Sequence, residues 1–192
     1  IYGDATDHQL IESYNGSVST TGKRSCYTEG KRIAETLFFD FYRNYQVDIK
    51  IARIFNCYGP NMLPNDGRVI SNFICQALNN ELLTIYGRGN QTRSFCFIDD
   101  LIEGLIKFMN SKEHGPMNFG NDLEEYTIKD LAYLIKEKIN PLIGFKNCPI
   151  PEHDPLRRKP VIAMAKNTLK WGPKVNLKEG LEITIKYFKK LN

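Results

Sequence analysis

Tyr27 and Lys31 stand four residues apart, as Y-x-x-x-K. On a helix that interval puts both side chains on one face, one turn above the other. A free tyrosine titrates near pH ~10 and is a poor base at neutrality. A cation held beside it favours the phenolate. A displacement of about three pH units corresponds to about 4 kcal/mol of differential stabilisation, within reach of a close charge. The product is a general base able to take a proton from a hydroxyl while hydride leaves the same carbon. Spacing alone also leaves open a solvated helix face.

The elements that must position this pair are legible around it. Ile33, Leu37, Phe38, Phe41, Tyr42 and Tyr45 recur at helical spacing and predict a helix over 25–45. The segment 48–55 alternates Ile49, Ile51 and Arg53 and reads as a strand, ended by a turn at Asn56-Cys57-Tyr58-Gly59-Pro60. Further on, a helix is expected over 69–79, with short strands at 82–86 and 93–97. Asp99 is read as the cap of a helix ending near Asn110. Thr127-Ile128-Lys129-Asp130 resembles a capping box. A strand near 146–150, a polar loop through Pro160 and helices near Ala163 and Lys178 complete the chain. The first two dozen residues read as loop. Helices alternating with short strands predict an α/β fold. No glycine-rich strand-to-helix turn opens the chain, so a complete dinucleotide-binding half is expected elsewhere.

Composition narrows the function classes. The 192 residues are 42% hydrophobic and 25% charged, ordinary for a globular protein. The net charge of +4 and pI near 8.7 suit an anionic small molecule as well as a nucleic acid. The basic residues are dispersed, however, and no nucleic-acid-binding motif stands out. Cys26, Cys57, Cys75, Cys96 and Cys148 form no C-x-x-C pair, and His8, His114 and His153 have no ligand spacing; no metal site is expected. Reduced thiols, no signal peptide and no apolar run of membrane length predict a cytoplasmic protein, with an anchor on a preceding segment left open.

With Tyr27 and Lys31 in place, the chain resembles the extended short-chain dehydrogenase/reductase family that acts on nucleotide sugars. Residues 25–35 (SCYTEGKRIAE) are similar to its catalytic helix, and 53–60 (RIFNCYGP) to its strand-and-turn motif. Asp66-Gly67-Arg68-Val69-Ile70-Ser71-Asn72-Phe73 and Gln91-Thr92-Arg93-Ser94-Phe95 are similar to its substrate-domain motifs. Asp154-Pro155-Leu156-Arg157-Arg158-Lys159-Pro160 and Leu169-Lys170-Trp171-Gly172-Pro173 point, within the family, to the UDP-glucuronate decarboxylases.

The resemblance implies the C-terminal part of a Rossmann-type NAD(P)-binding fold with a smaller α/β substrate-binding domain. Residues 1–60 would be a remnant of the NAD-binding domain and 61–192 mainly the nucleotide-sugar domain, with some segments returning to the first. It implies NAD as cofactor, a UDP-sugar as substrate and a homodimer. Tyr27 would be the base at the sugar C4 hydroxyl, and Lys31 would tune it and hold the nicotinamide ribose. Oxidation at C4 leaves the carboxylate β to a ketone, so CO₂ is lost, and hydride return gives UDP-xylose. Arg158 matches an arginine acting near the carboxylate, which its guanidinium fork suits; the alternative is a solvated basic loop. Asn56, Tyr86 and Arg93 match substrate-holding positions, and Arg68 one near the cofactor or diphosphate. Their alternatives are a turn residue, a core strand residue and ordinary surface charge. The sequence departs from the family at Cys57, where a small hydroxyl residue is common, and at Val161, where Asp is common. The family's glycine-rich opening and the Ser-Glu pair preceding Ile1 have no counterpart, so a truncated enzyme, inactive alone, is expected. A 4,6-dehydratase, a 4-epimerase and an inactive dimerising fragment remain as alternatives.

Overall fold

A computed structural model describes residues 1–3, 9–150 and 155–191. His8, His153 and Asp154, named above, lie outside them.

The first described element is α1 (Ser25–Tyr45), closed by Gln46 in the left-handed conformation, with the Gln46 N–H bonded to the Tyr42 carbonyl. The residues before it are irregular and are held by single bridges, Gly3 to Ser17 and Leu10 to Pro160. β1 (Ala52–Ile54) runs parallel to β6 (Met117–Phe119), Arg53 facing Asn118 in register. Hydrogen bonds from Ile51 to His114 and from Phe55 to Phe119 extend the pairing beyond the three-residue ladder. The strand read over 48–55 is therefore real but shorter. Along it Ile49, Ile51 and Phe55 are buried on one face, and Arg53 occupies the same row.

β2 (Cys57–Tyr58) pairs in parallel with β5 (Cys96–Phe97), so the turn expected at 56–60 carries a short strand. β3 (Leu83–Tyr86) pairs in parallel with β8 (Phe145–Cys148). The strand read over 93–97 is two strands in two sheets. β4 (Thr92–Arg93) lies between β7 (Tyr126–Thr127), antiparallel, and β9 (Arg157–Arg158), parallel, while β5 joins β2. β9 falls within the stretch read as loop.

The helices α2 (Val69–Leu78), α4 (Ile128–Ile139) and α6 (Leu177–Phe188) close over β3, burying Phe73, Ile74, Leu83, Leu131, Ile135, Leu181 and Phe188. A second core joins α3 (Ile98–Met109) and α5 (Ala163–Leu169) to β6 through Phe108, Phe119, Ile162 and Trp171. Thr127 does cap α4, its Oγ1 accepting the Asp130 N–H at 2.9 Å. Asp99 does not cap α3: Phe97 holds that position, and Asp99 sits in the first turn. Its neighbour Asp100 is the structural carboxylate, accepting the backbone N–H groups of Lys174 at 3.0 Å and Val175 at 2.9 Å.

Candidate active site

The N-terminus of α1 is pinned by local bonds. Ser25, the only buried residue of the helix, donates from Oγ to the Ser19 carbonyl at 2.5 Å. Two residues on, Tyr27 is 59% exposed, and Lys31 Nζ lies 5.9 Å from its ring centroid. The i,i+4 arrangement expected of the pair is present. Both line an open cavity of about 710 Å³ between α1, β1 and β9, together with Asn56 and Arg158.

The other walls position these groups. Asn56 Nδ2 donates to the Ser94 carbonyl at 3.1 Å, leaving its second N–H and its carbonyl oxygen outside that bond. Arg158 stands opposite Arg93 in the β4–β9 register. Arg93 itself is only 7% exposed, with Nη1 bonded to the Thr92 carbonyl at 2.8 Å, so it is no ordinary surface charge. It lies one strand behind the cavity wall rather than on it. Tyr86 is 44% exposed at the end of β3 and is not a core strand residue; it too is absent from the cavity wall. Arg68, at the N-cap of α2, lines a separate recess of about 400 Å³ with Cys57, Tyr58 and Asp66, and pairs with Asp66 at 3.6 Å. The structure thus brings Tyr27, Lys31, Asn56 and Arg158 together, sets Arg93 behind them, and keeps Arg68 and Tyr86 apart.

The cavity is markedly cationic. Among the described residues Arg24, Lys31, Lys50, Arg53, Arg157 and Arg158 line it, against the single carboxylate of Glu35. Arg53 grips Glu35 with two prongs, Nε to Oε1 at 2.8 Å and Nη2 to Oε2 at 2.7 Å. Burial opposes the Arg53 charge, but the hydrogen bonds to Glu35 and Tyr2 outweigh it and drive its pKa up. Arg157 makes a similar fork to Glu125, both contacts at 2.9 Å, and holds the Glu125 carboxyl below its ordinary range against the effect of burial. Lys50 meets Asp48 at 3.4 Å. Lys31 and Arg24 have no carboxylate partner among the described residues.

Glu35, Arg53 and Arg24 were not singled out from sequence as site residues. The one signal was the placement of an arginine in the inward row of a strand otherwise made of Ile49, Ile51 and Phe55. No group of three or more His, Cys, Asp or Glu side chains with metal-binding geometry occurs among the described residues, and no described helix is long and apolar enough to cross a membrane.

Comparison with known proteins places the chain in a family. Residues 1–120 match the NAD dependent epimerase/dehydratase family. The chain belongs to that family. Among curated relatives it is 52% identical to UDP-glucuronic acid decarboxylase 3 of Arabidopsis thaliana over 95% of this chain and 53% of the relative. It is 47% identical to UDP-glucuronic acid decarboxylase 1 of Danio rerio over 98% of this chain and 45% of the relative. The chain therefore spans about half the length of the curated relatives it matches. Its fold matches UDP-N-acetylglucosamine 4-epimerase from Methanobrevibacter ruminantium M1, solved with UDP-N-acetylmuramic acid (TM-score 0.90, 26% identity, 100% of this chain and 60% of that one). It also matches UDP-glucuronic acid 4-epimerase from Bacillus cereus, solved with UDP-glucuronic acid and NAD (TM-score 0.82, 26% identity, 96% and 60%). The Rossmann-type α/β fold expected from the sequence is that of the family.

Proposed function

We propose that this chain is the part of a UDP-glucuronate decarboxylase that carries its base and its carboxylate-facing arginine. The observation that carries the reading is the convergence of Tyr27, Lys31, Asn56 and Arg158 on one cation-rich cavity. An anionic sugar nucleotide and a dinucleotide both gain from that charge, and the relatives at 47–52% identity are named as decarboxylases of this substrate.

The residues beside Tyr27 and Lys31 suit the nicotinamide-ribose end of NAD, with Lys31 as the ribose ligand; Arg68, in its separate recess, would lie toward the diphosphate. When bound, NAD supplies hydride acceptance and return. The chain's own groups do the rest. Tyr27 removes the proton of the sugar C4 hydroxyl as that carbon is oxidised to a ketone, and Lys31 favours the phenolate by its charge. The carboxylate on C5 is then β to the ketone, and its C–C bond breaks with the electrons flowing into the carbonyl. Arg158 faces that carboxylate through a two-pronged fork. A proton from solvent in the open cavity adds at C5, and once hydride is back on C4 Tyr27 returns its proton to the C4 oxygen, giving UDP-xylose. Asn56 holds the sugar nucleotide from the cavity wall, and Tyr86 and Arg93, which lie off that wall, would meet the uridine diphosphate where it extends beyond it.

Residues 1–60 belong, in this reading, to the NAD-binding unit and 61–192 mainly to the nucleotide-sugar unit. The parallel pairing of β1 with β6 supports the return of 117–119 to the first. The protein acts in the cytoplasm as a homodimer. Ile33, Leu37 and Phe41, 51–55% exposed, form one face of α1 away from the cavity and suit a second copy.

The test is incubation of the complete natural chain with NAD⁺ and UDP-glucuronate. CO₂ release with UDP-xylose is expected. Tyr27→Phe should lower turnover by about 10²–10⁴-fold while UDP-glucuronate still binds. Absence of CO₂ from the wild-type protein would sink the reading.

A further inference from the structure

We infer that Arg53 is a positioning residue. Its guanidinium fixes the helix that carries Tyr27 and Lys31 relative to the strand that carries Arg158. The inference rests on the functional reading above for which groups react.

Besides the Arg53 fork, helix α1 is tied by Arg32, whose Nη1 donates to the carbonyls of Ile1 at 3.2 Å and Asn15 at 2.6 Å, and by the Tyr42 ring, 4.4 Å from that of His114; neither is a two-pronged ion pair. Among its described residues only Ser25 is buried, and the face turned toward the cavity exposes Tyr27 and Phe38 at 59% and 55%. Glu35 lies one turn beyond Lys31 and is held by both prongs of Arg53, with the two side chains only 12% and 19% exposed. From Arg53 the bonds continue inward. Nη1 donates to the Tyr2 hydroxyl at 3.0 Å and to the Glu12 carbonyl at 2.9 Å. The Tyr2 hydroxyl donates to Asn118 Oδ1 at 2.7 Å. Asn118, fully buried, donates from Nδ2 to the carbonyls of Leu10 at 2.7 Å and Val161 at 3.0 Å. Val161 follows Arg158 by three residues, and Leu10 bridges the intervening Pro160.

Every step from Lys31 to Arg158 is therefore a hydrogen bond or a short covalent stretch. The planar fork of an arginine sets distance and angle together, whereas lysine is a single point charge. A largely shielded pair of this kind adds little net stability over an apolar pair of the same size, so its distinctive contribution is geometry. Arg53 has four of its N–H groups engaged within the protein and needs no contact with substrate to act.

The experiment compares wild type, Arg53→Lys, Glu35→Gln and the double variant Arg53→Met/Glu35→Leu in the complete natural chain. Glu35→Gln keeps an acceptor for one prong and serves if Arg53→Lys does not fold. Hydrogen exchange is followed in peptides covering 25–45 and 155–161, with steady-state kinetics on UDP-glucuronate and NAD⁺. In Arg53→Lys, exchange in α1 should quicken by roughly tenfold or more. kcat should fall by about 100-fold, with the KM for UDP-glucuronate changed less than about twofold. The double variant should recover the wild-type Tm but not kcat. Wild-type kcat in a folded Arg53→Lys or double variant would overturn the inference, leaving the pair as scaffold only. If wild type releases no CO₂, the functional reading falls, and exchange in α1 still decides the restraint: faster exchange upholds it, unchanged exchange overturns it.

Discussion

Two glycines in helix interiors should respond to the same substitution with opposite sign. Gly180 lies in α6, where an added Cβ would fall 2.0 Å from the Tyr58 hydroxyl oxygen, 2.7 Å from Tyr58 Cζ and 2.9 Å from Phe97 Cδ2. Tyr58 is 1% exposed and Phe97 2%, and their rings pack edge to face 5.6 Å apart, so neither can step aside alone. Reaching even a tight contact requires about 1 Å of displacement, the upper range of overpacking costs at about 3 kcal/mol or more. The helix-propensity gain of alanine over glycine offsets about 1 kcal/mol. The net expectation for Gly180→Ala is a loss of about 2 kcal/mol, a fall in Tm of roughly 4–8 °C for a domain of this size. Gly30, in α1 between Tyr27 and Lys31, has nothing within 4 Å of its Cβ position. Gly30→Ala should therefore raise Tm by roughly 2–4 °C at concentrations where the chain is monomeric. Thermal unfolding followed by circular dichroism reads both. A Gly180→Ala protein as stable as wild type would refute the rigid packing of Tyr58. That packing also holds the turn presenting Asn56, so the same variant should weaken UDP-sugar binding.

Other consequences can be checked alongside it. Arg158→Lys keeps the charge but loses the fork, so CO₂ release from UDP-glucuronate should fall roughly 10–100-fold; unchanged release would remove Arg158 from the carboxylate. Glu125 titrates lower when folded than in the unfolded chain, because Arg157 bonds its carboxylate. The stability this provides is fully present above its unfolded value near pH ~4.3 and is lost as pH falls through the folded value. The urea midpoint of Glu125→Gln should therefore lie below wild type at pH 7, and the gap should close on acidification; a constant gap would contradict this. Burial pushes the Cys57 thiol up to about 11 and raises the fully buried Cys96 further, whereas Cys26 is exposed. Thiol titration of the native protein at pH ~8 should modify Cys26 first and leave Cys96 silent until unfolding; early labelling of Cys96 would count against this core.

The sequence pattern of α1 was clear enough to place both ends of the helix, yet it misleads about burial. Ile33, Leu37, Phe38, Phe41 and Tyr45 recur as a core-facing set would, and all are more than half exposed. Periodicity reports that a helix has an apolar side but not what covers it. Capping shows the same limit. Thr127 was recognisable because a hydroxyl three residues before Asp130 has one geometric use. Asp99 was not, because an acidic residue favours the first turn of a helix nearly as well as its cap. β4 and β5 merge in sequence since nothing local marks Ser94 as the point where the chain leaves one sheet for another. In the site, only the Tyr27–Lys31 spacing is local. Asn56 and Arg158 join it through β1, β4 and β9, a proximity that spacing cannot reveal and that entered through resemblance.

The cavity's charges divide by what they already hold. Arg53 is committed to Glu35 and Tyr2, Arg157 to Glu125, and Lys50 to Asp48. These pairs fix the walls and present little net charge to an incoming ligand. Lys31 and Arg24 have no carboxylate partner among the described residues, and both line the space beside the exposed phenol of Tyr27. An ammonium with no carboxylate partner among the described residues can meet an anion without first giving one of them up. The bidentate Arg53–Glu35 pair therefore has a chemical consequence without touching a reactant. By occupying the one carboxylate that lines the cavity among the described residues, it keeps Glu35 from competing for Lys31, one turn away on the same helix. Positioning and charge separation are two results of the same bond, and both leave Lys31 available to the tyrosine.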